Sequence, residues 1–169
     1  EAVIVSYART GLAKSGRGGF NITPPMSLAG HAIKHAVERA GVDKEYVEDC
    51  YLGNCAHGAP NIGRQGALLA GLPKSTAGVS VNRFCSSGLQ TIAMAANSIR
   101  SDGSDCIVAG GVESISIPGG GSPKESIDPD LLKVAPDIFM AMIDTAAIVA
   151  ERYKVSREYH DEYSLESQR

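Results

Sequence analysis

The sequence predicts an α/β fold. A mostly parallel, helix-covered sheet is expected over residues 1–115, with 116–169 packed on it as a loop-rich cap. Three observations carry this. Short β-branched or apolar runs recur at 2–6, 47–52, 78–82 and 105–109, and segments with apolar residues at helical spacing lie between them. Strands that alternate with helices are joined by crossovers, which give parallel pairing and helices laid against the sheet. The alternation stops near Ser116, where glycines and prolines take over.

The elements follow in order. Residues 2–6 (AVIVS) read as a buried strand, followed by a polar loop through Gly16, Gly18 and Gly19 to Pro24-Pro25. Ser27 is placed to cap a helix that runs to Ala40 and stops at Gly41. Its apolar stripe is Leu28, Ala29, Ala32, Ile33, Ala36, Val37 and Ala40. A strand over 47–52 leads to a helix over 62–70, ended by Gly71 and Pro73. A strand over 78–82 precedes a helix marked by Leu89, Ile92, Ala93, Ala96 and Ile99. Cys106-Ile107-Val108-Ala109 reads as a further buried strand, closed by Gly110-Gly111. From Ile117 to Pro136 the run GGG and the prolines Pro118, Pro123 and Pro129 break the pattern, and helices are expected over 136–152 and 158–168. The chain ends at SLESQR inside a helical pattern and begins without Met, so a longer protein is the expectation.

Composition narrows the function. The chain has 169 residues, 43% of them hydrophobic, enough for a core, and a net charge of −3 that offers no field for nucleic acid or an anionic membrane. Apolar runs fall short of the roughly eighteen residues of a membrane span. Cys50, Cys55, Cys85 and Cys106 lie in separate segments, so free thiols in a reducing, cytoplasmic setting are expected.

The most informative segment is Val79-Ser80-Val81-Asn82-Arg83-Phe84-Cys85-Ser86-Ser87-Gly88-Leu89. A buried strand enters a tight turn, and Cys85 sits where the next helix begins. Backbone N–H groups of a first helical turn lack intrahelical partners and, with the helix dipole, favour thiolate over thiol. The same donors suit the oxyanion formed when a thioester carbonyl is attacked. Ser86, Ser87 and Gly88 are small and leave the sulfur approachable. A buried, inert cysteine is the competing reading, and position alone does not separate the two.

The string NRFCSSGLQTIA, followed by DCIVAGGVESIS, closely resembles the nucleophile region of thiolases, particularly the degradative 3-ketoacyl-CoA type. YARTGLAK, NIGRQGALLAGLP and the terminal VSREYHDEYSLESQR match in the same order, so the resemblance covers essentially the whole chain. It implies one βαβαβαββ half of a paired architecture plus part of an inserted loop domain, the carboxy-terminal half being absent. It implies that Cys85 carries the acyl group, that Met142 lines the acyl pocket, and that acyl-CoA and CoA are the exchanged species, with no further cofactor. Ile143 and Ala147 stand where the family pattern has Gly and Glu. The activating His, the Asn-Glu oxyanion segment and the second Cys of the family match nothing here, so the fragment alone is expected to be inactive. A homodimer or homotetramer through the sheet domain is implied as well.

The other candidates read more plainly. His31 and His35 share a helix face with Lys34 and Glu38, a solvated face rather than a metal site. Cys50, Cys55 and His57 fit closed zinc patterns poorly, and Cys106 reads as core. No metal is expected. The glycines of SGRGGF and PGGGSP read as loop, not as phosphate cradles. Arg64 and Gln65 lie in a segment that the family places near the partner's site, and a solvent-facing helix start fits them equally. Met140 and Met142 would ordinarily be adaptable core. Two other functions compete with acyl transfer between thioesters: a decarboxylating ketosynthase of the same superfamily, and a non-catalytic acyl-CoA-binding or dimerisation module.

Overall fold

The computed structural model describes residues 1–117 and 127–169. The chain divides into two compact units, 1–121 and 122–169. The PGGGSP segment lies outside the described residues.

The first unit is built on a three-stranded parallel sheet. Strands β1 (Asp49–Gly53), β2 (Val79–Val81) and β3 (Ile107–Gly111) lie in the order β2-β1-β3, with Tyr51 opposite both Val79 and Ala109. Helix α2 (Ile62–Leu69) makes the crossover from β1 to β2 and helix α3 (Ser87–Asn97) the one from β2 to β3, while helix α1 (Pro25–Ala40) precedes β1 and packs on α2. Side chains alternate along β1, and so do the helices they meet. Leu52 reaches Gly66 of α2, while on the opposite face Gly53 lies against Ser87 of α3 and the Tyr51 hydroxyl is 3.2 Å from Ser98 Oγ. The sheet is therefore covered on both faces.

The core forms on the α1–α2 side: Ala29, Ile33, Val47, Cys50, Leu52, Ile62, Ala67 and Leu72. Close helix contact here needs small residues. A Cβ at Gly30 would stand 2.7 Å from the Leu69 Cβ, and one at Gly66 about 3.0 Å from Ile33 Cδ1. Buried polar groups are paired, as interior hydroxyls must be. Thr76 Oγ1 donates to the Val47 carbonyl at 2.8 Å, and Thr91 Oγ1 lies 2.7 and 2.8 Å from the Gly88 and Gly110 carbonyls.

In this unit two expectations about element boundaries and existence are corrected. Helix α1 starts at Pro25 rather than after a Ser27 cap, because proline's fixed φ and missing N–H suit a first helical position. It stops at Gly41 with φ +66°. Residues 2–6 form no strand: Val3, Ile4 and Val5 are exposed, and the segment 2–8 lines one wall of an apolar cavity of about 340 Å³ whose other walls include β3. A strand needs a ladder partner. No backbone hydrogen bond joins 2–6 to β3 among the described residues.

The second unit holds α4 (Pro129–Val134), α5 (Met142–Tyr153) and α6 (Arg157–Gln168). Asp128 and Ser156 cap α4 and α6 through their side chains, and Lys154 closes α5 in the left-handed region with φ +53°. The expected helix over 136–152 starts six residues later, at Met142, after turns over 136–139; α4 was not expected. No residue of these three helices is buried. No helix is long and apolar enough to cross a membrane among the described residues.

Candidate active site

Parallel strands end on one edge, and the loops leaving that edge are where open α/β sheets place ligands. Three such loops matter: 54–61 after β1, 82–86 after β2 and 112–117 after β3. Asn54 N–H donates to the Val81 carbonyl at 3.0 Å, and Val112 N–H to the Gly53 carbonyl at 3.0 Å, so the ladders extend just past the strand ends.

Cys85 lies in the turn between β2 and α3 and is exposed. The turn is closed by side chains. Asn82 Oδ1 accepts from Phe84 N–H at 3.0 Å, an Asx turn of the kind that lets a chain reverse tightly. Phe84 then adopts φ +48°, a left-handed conformation that a bulky residue holds only when its surroundings impose it. Buried Ser87 imposes it from below. Its hydroxyl donates to the Phe84 carbonyl at 2.6 Å and accepts from Arg83 N–H at 2.8 Å. Cys55 Sγ lies 3.1 Å from the same carbonyl and 3.2 Å from Ser87 Oγ. The result is a strained strand-to-helix turn that carries the thiol on its outer side.

The helix amides are distributed differently from the expectation. Cys85 lies two residues before the first residue of α3, and the nearest amides are committed: Ser86 N–H to the Arg83 carbonyl at 3.2 Å, Ser87 N–H to the Phe84 carbonyl at 3.1 Å. The Gly88 and Leu89 N–H groups have no backbone acceptor among the described residues. They are the donors open to an incoming anion.

Two glycines shape this corner. A Cβ at Gly53 would stand 2.7 Å from Ser87 Cβ and 3.0 Å from the Gly88 nitrogen, so only glycine lets the start of α3 rest on the end of β1. Gly88 has open space where its Cβ would be.

Sequence reasoning missed Glu113, which follows β3. Its carboxylate accepts from the N–H groups of Cys55 (2.8 Å), Ala56 (2.9 Å), Ser114 (3.0 Å) and His57 (3.2 Å), and from Asn54 Nδ2 (3.2 Å). Partial burial pushes its pKa up, but the four backbone donors outweigh burial and hold it below the usual carboxylate range. A carboxyl whose folded pKa is depressed stabilises the fold above its unfolded pKa, and that contribution is lost as pH falls through the folded value. Glu113→Gln should therefore lower stability at neutral pH by about 1 kcal/mol, the scale of a solvent-screened charged interaction. The gap should close below roughly pH 4. Urea titrations of both proteins between neutral and acid pH check this.

Of the remaining candidates, Met142 opens α5 in the second unit, where it and Ile143 are exposed. Cys50 is fully buried, and burial, with Asp49 adding to it, pushes its thiol up to about 12. Cys106 is partly buried against the core. His57 Nδ1 lies 3.1 Å from the Ile117 carbonyl. No cluster of three His, Cys, Asp or Glu side chains forms among the described residues. His31 and His35 stack edge to face at 4.5 Å, and His35 lies 3.3 Å from Glu38 on the outer side of α1. The Arg64 guanidinium is taken by the Thr76 and Lys74 carbonyls of the loop between α2 and β2, and Gln65 by the Pro60 carbonyl.

Residues 2–169 match the family model described as "Thiolase, N-terminal domain". The chain is 39% identical over 171 residues to a 3-ketoacyl-CoA thiolase of Bacillus subtilis (strain 168), covering 99% of this chain and 44% of that protein. It is 35% identical over 183 residues to an acetyl-CoA acetyltransferase of Escherichia coli (strain K12), covering 99% of this chain and 46% of that one. Its structure resembles the crystal structure of the Bacillus anthracis acetyl-CoA acetyltransferase, with a TM-score of 0.83 and 31% identity over 96% of this chain and 44% of that one. The chain thus spans less than half the length of the relatives it matches.

Proposed function

The chain belongs to the thiolase family, and on that premise we propose that Cys85 is the nucleophile of an acyl transfer between thioesters. The observation that carries the reading is the exposure of Cys85 on a strained turn at the carboxyl edge of a parallel sheet, directly before a helix. Its thiolate attacks the keto carbonyl of a 3-ketoacyl-CoA. The bond between the second and third acyl carbons breaks, and its electron pair leaves with the acetyl-CoA fragment, which takes up a proton. The acyl group stays on sulfur until coenzyme A displaces it. In the other direction Cys85 takes acetyl from one acetyl-CoA and passes it to a second. A thiolate suits both halves because it attacks well and leaves well. The open Gly88 and Leu89 amides support an oxyanion role for the start of α3.

The rest of the site is proposed to come from a second half of the kind the relatives carry. No hydrogen bond to Cys85 Sγ forms among the described residues that would activate it as a base does. Met142 is proposed to line the acyl pocket, with acyl-CoA and CoA as the exchanged substrates. A cytoplasmic homodimer or homotetramer belongs to the same proposal.

Brief exposure of the complete gene product to acetyl-CoA, followed by peptide mapping, tests the reading. One acetyl adduct is expected, on the peptide containing Phe84-Cys85-Ser86. An adduct elsewhere, or none, ends it. In the same assay series the 169-residue chain alone should not thiolyse acetoacetyl-CoA, because it holds the nucleophile without a base.

A further inference from the structure

We propose, resting on the acyl-transfer reading above, that Glu113 is a positioning residue of the Cys85 site: it clamps the loop after β1, and Cys55 passes that clamp to the Phe84 turn.

Glu113 gathers five donors, and three of them are the consecutive amides of Cys55, Ala56 and His57. Consecutive N–H groups that converge make a concavity for an anion. Here the chain supplies its own anion from the end of β3, some sixty residues away in sequence. The bonds divide between the two oxygens. Oε2 takes Cys55 and Ala56; Oε1 takes His57, Ser114 and Asn54 Nδ2. Asn54 doubles the brace, since its Nδ2 also donates to the Val112 carbonyl at 2.9 Å and its Oδ1 accepts from Gly58 N–H at 3.2 Å. The loop leaving β1 is thus fixed to the segment leaving β3.

The third loop joins through sulfur. The amide of Cys55 is itself clamped, and Cys55 Sγ meets both Phe84 O and Ser87 Oγ. Those two atoms hold the left-handed Phe84, whose next residue is Cys85. A slack loop 54–57 would free Cys55, and with it one restraint on the strained turn. The chemistry demands a carboxylate. A glutamine has one acceptor oxygen, and whichever way its amide lies, an NH₂ faces two or three N–H donors.

The test uses the complete gene product, with Glu113→Gln, Cys55→Ala and Cys55→Ser. Rapid-quench mass spectrometry reads the acetylation rate of Cys85, and steady-state kinetics separates kcat from KM for acetyl-CoA. Glu113→Gln and Cys55→Ala should each slow acetylation roughly 10- to 100-fold, the scale of a small misplacement of a reacting atom. KM should change less than about threefold, since neither residue is placed on the substrate. Cys55→Ser, which can still donate to the Phe84 carbonyl, should recover part of the rate lost in Cys55→Ala. Glu38→Gln, on the exposed side of α1, serves as the unaffected control. A folded Glu113→Gln that acetylates within twofold of the unaltered protein overturns the proposal, and so does a Cys55→Ala that does the same or a Cys55→Ser with no recovery. If Glu113→Gln does not fold, Cys55→Ala decides alone. Failure of the unaltered protein to acetylate Cys85 removes the reading and the proposal together; normal acetylation in every variant removes the proposal only.

Discussion

Cys85→Ser in the complete gene product should abolish acyl transfer, by at least about 10³-fold, while leaving the fold intact. The chemical part of the expectation is the nucleophile. A serine hydroxyl titrates far above neutrality and needs a strong adjacent base, whereas the groups around Cys85 are those of a turn: the Asn82 side-chain amide, the Ser87 hydroxyl and backbone carbonyls. The structural part is exposure. Cys85 stands in solvent, and its replacement by a smaller polar atom should shift stability by no more than about 0.5 kcal/mol. Thermal unfolding by circular dichroism, paired with single-turnover acetylation, measures the two parts separately.

The other cysteines define the contrast. Cys50 is fully buried with its thiol pushed up to about 12, so it stays protonated and shielded at pH 8. Burial, then the nearby carboxylates of Glu48 and Asp105, raises Cys106 as well. Ala at either position should cost stability without a comparable loss of rate per folded molecule. Iodoacetamide at pH 8 should therefore label Cys85 in the native protein and reach Cys50 only after unfolding. A fully active, normally acetylated Cys85→Ser protein would return Cys85 to the status of an incidental surface thiol.

What the sequence could and could not say follows from the range of the interactions involved. Helix α1, strand β1 and helix α2 were legible because their signals are local: the stripe through Ala29 and Ile33, the run ending in Cys50-Tyr51-Leu52, the stop at Gly71 and Pro73. The strand-to-helix position of Cys85 was legible on the same grounds. The segment 2–6 has the composition of a strand, yet pairing depends on an edge within reach, which no local pattern encodes. Phe84 gives no sign of a left-handed turn, since its conformation is imposed by Asn82 and Ser87 rather than by its own preference. Glu113 was hidden for a related reason. Its partners are backbone amides, identical in every residue type, and they come from a loop far away in sequence. The one available signal was an acidic side chain directly after an apolar strand that ends in Gly110-Gly111. Cys55 reads from the sequence as a free thiol and a poor zinc ligand, with nothing to signal the carbonyl and hydroxyl that its sulfur meets in the fold.

Gly53→Ala should damage both the fold and the site. Gly53 is the last residue of β1, buried, and turned toward α3. The added methyl would lie 2.7 Å from Ser87 Cβ, 2.8 Å from the Ser87 carbonyl carbon and 3.0 Å from the Gly88 nitrogen. Carbon atoms pack without strain at about 3.5–4.0 Å, so the start of α3 must retreat by about 1 Å. Two of the three atoms struck are backbone, which no rotamer change relieves, and overpacking of this kind costs about 2–3 kcal/mol. The retreat carries Ser87 with it, and Ser87 holds Arg83 and Phe84 in the turn that presents Cys85. A 1 Å displacement of a reacting atom reduces a rate by about 100-fold. The melting temperature and the single-turnover acetylation rate should therefore fall together in Gly53→Ala. Gly88→Ala, one residue beyond Ser87, separates steric from conformational effects. Its Cβ would meet nothing within 4 Å, and alanine is the better helix former by about 0.8–1 kcal/mol, so its melting temperature should hold or rise. A Gly53→Ala protein as stable and as readily acetylated as the unaltered one would mean that α3 does not rest on β1 as closely as the Gly53–Ser87 contact requires.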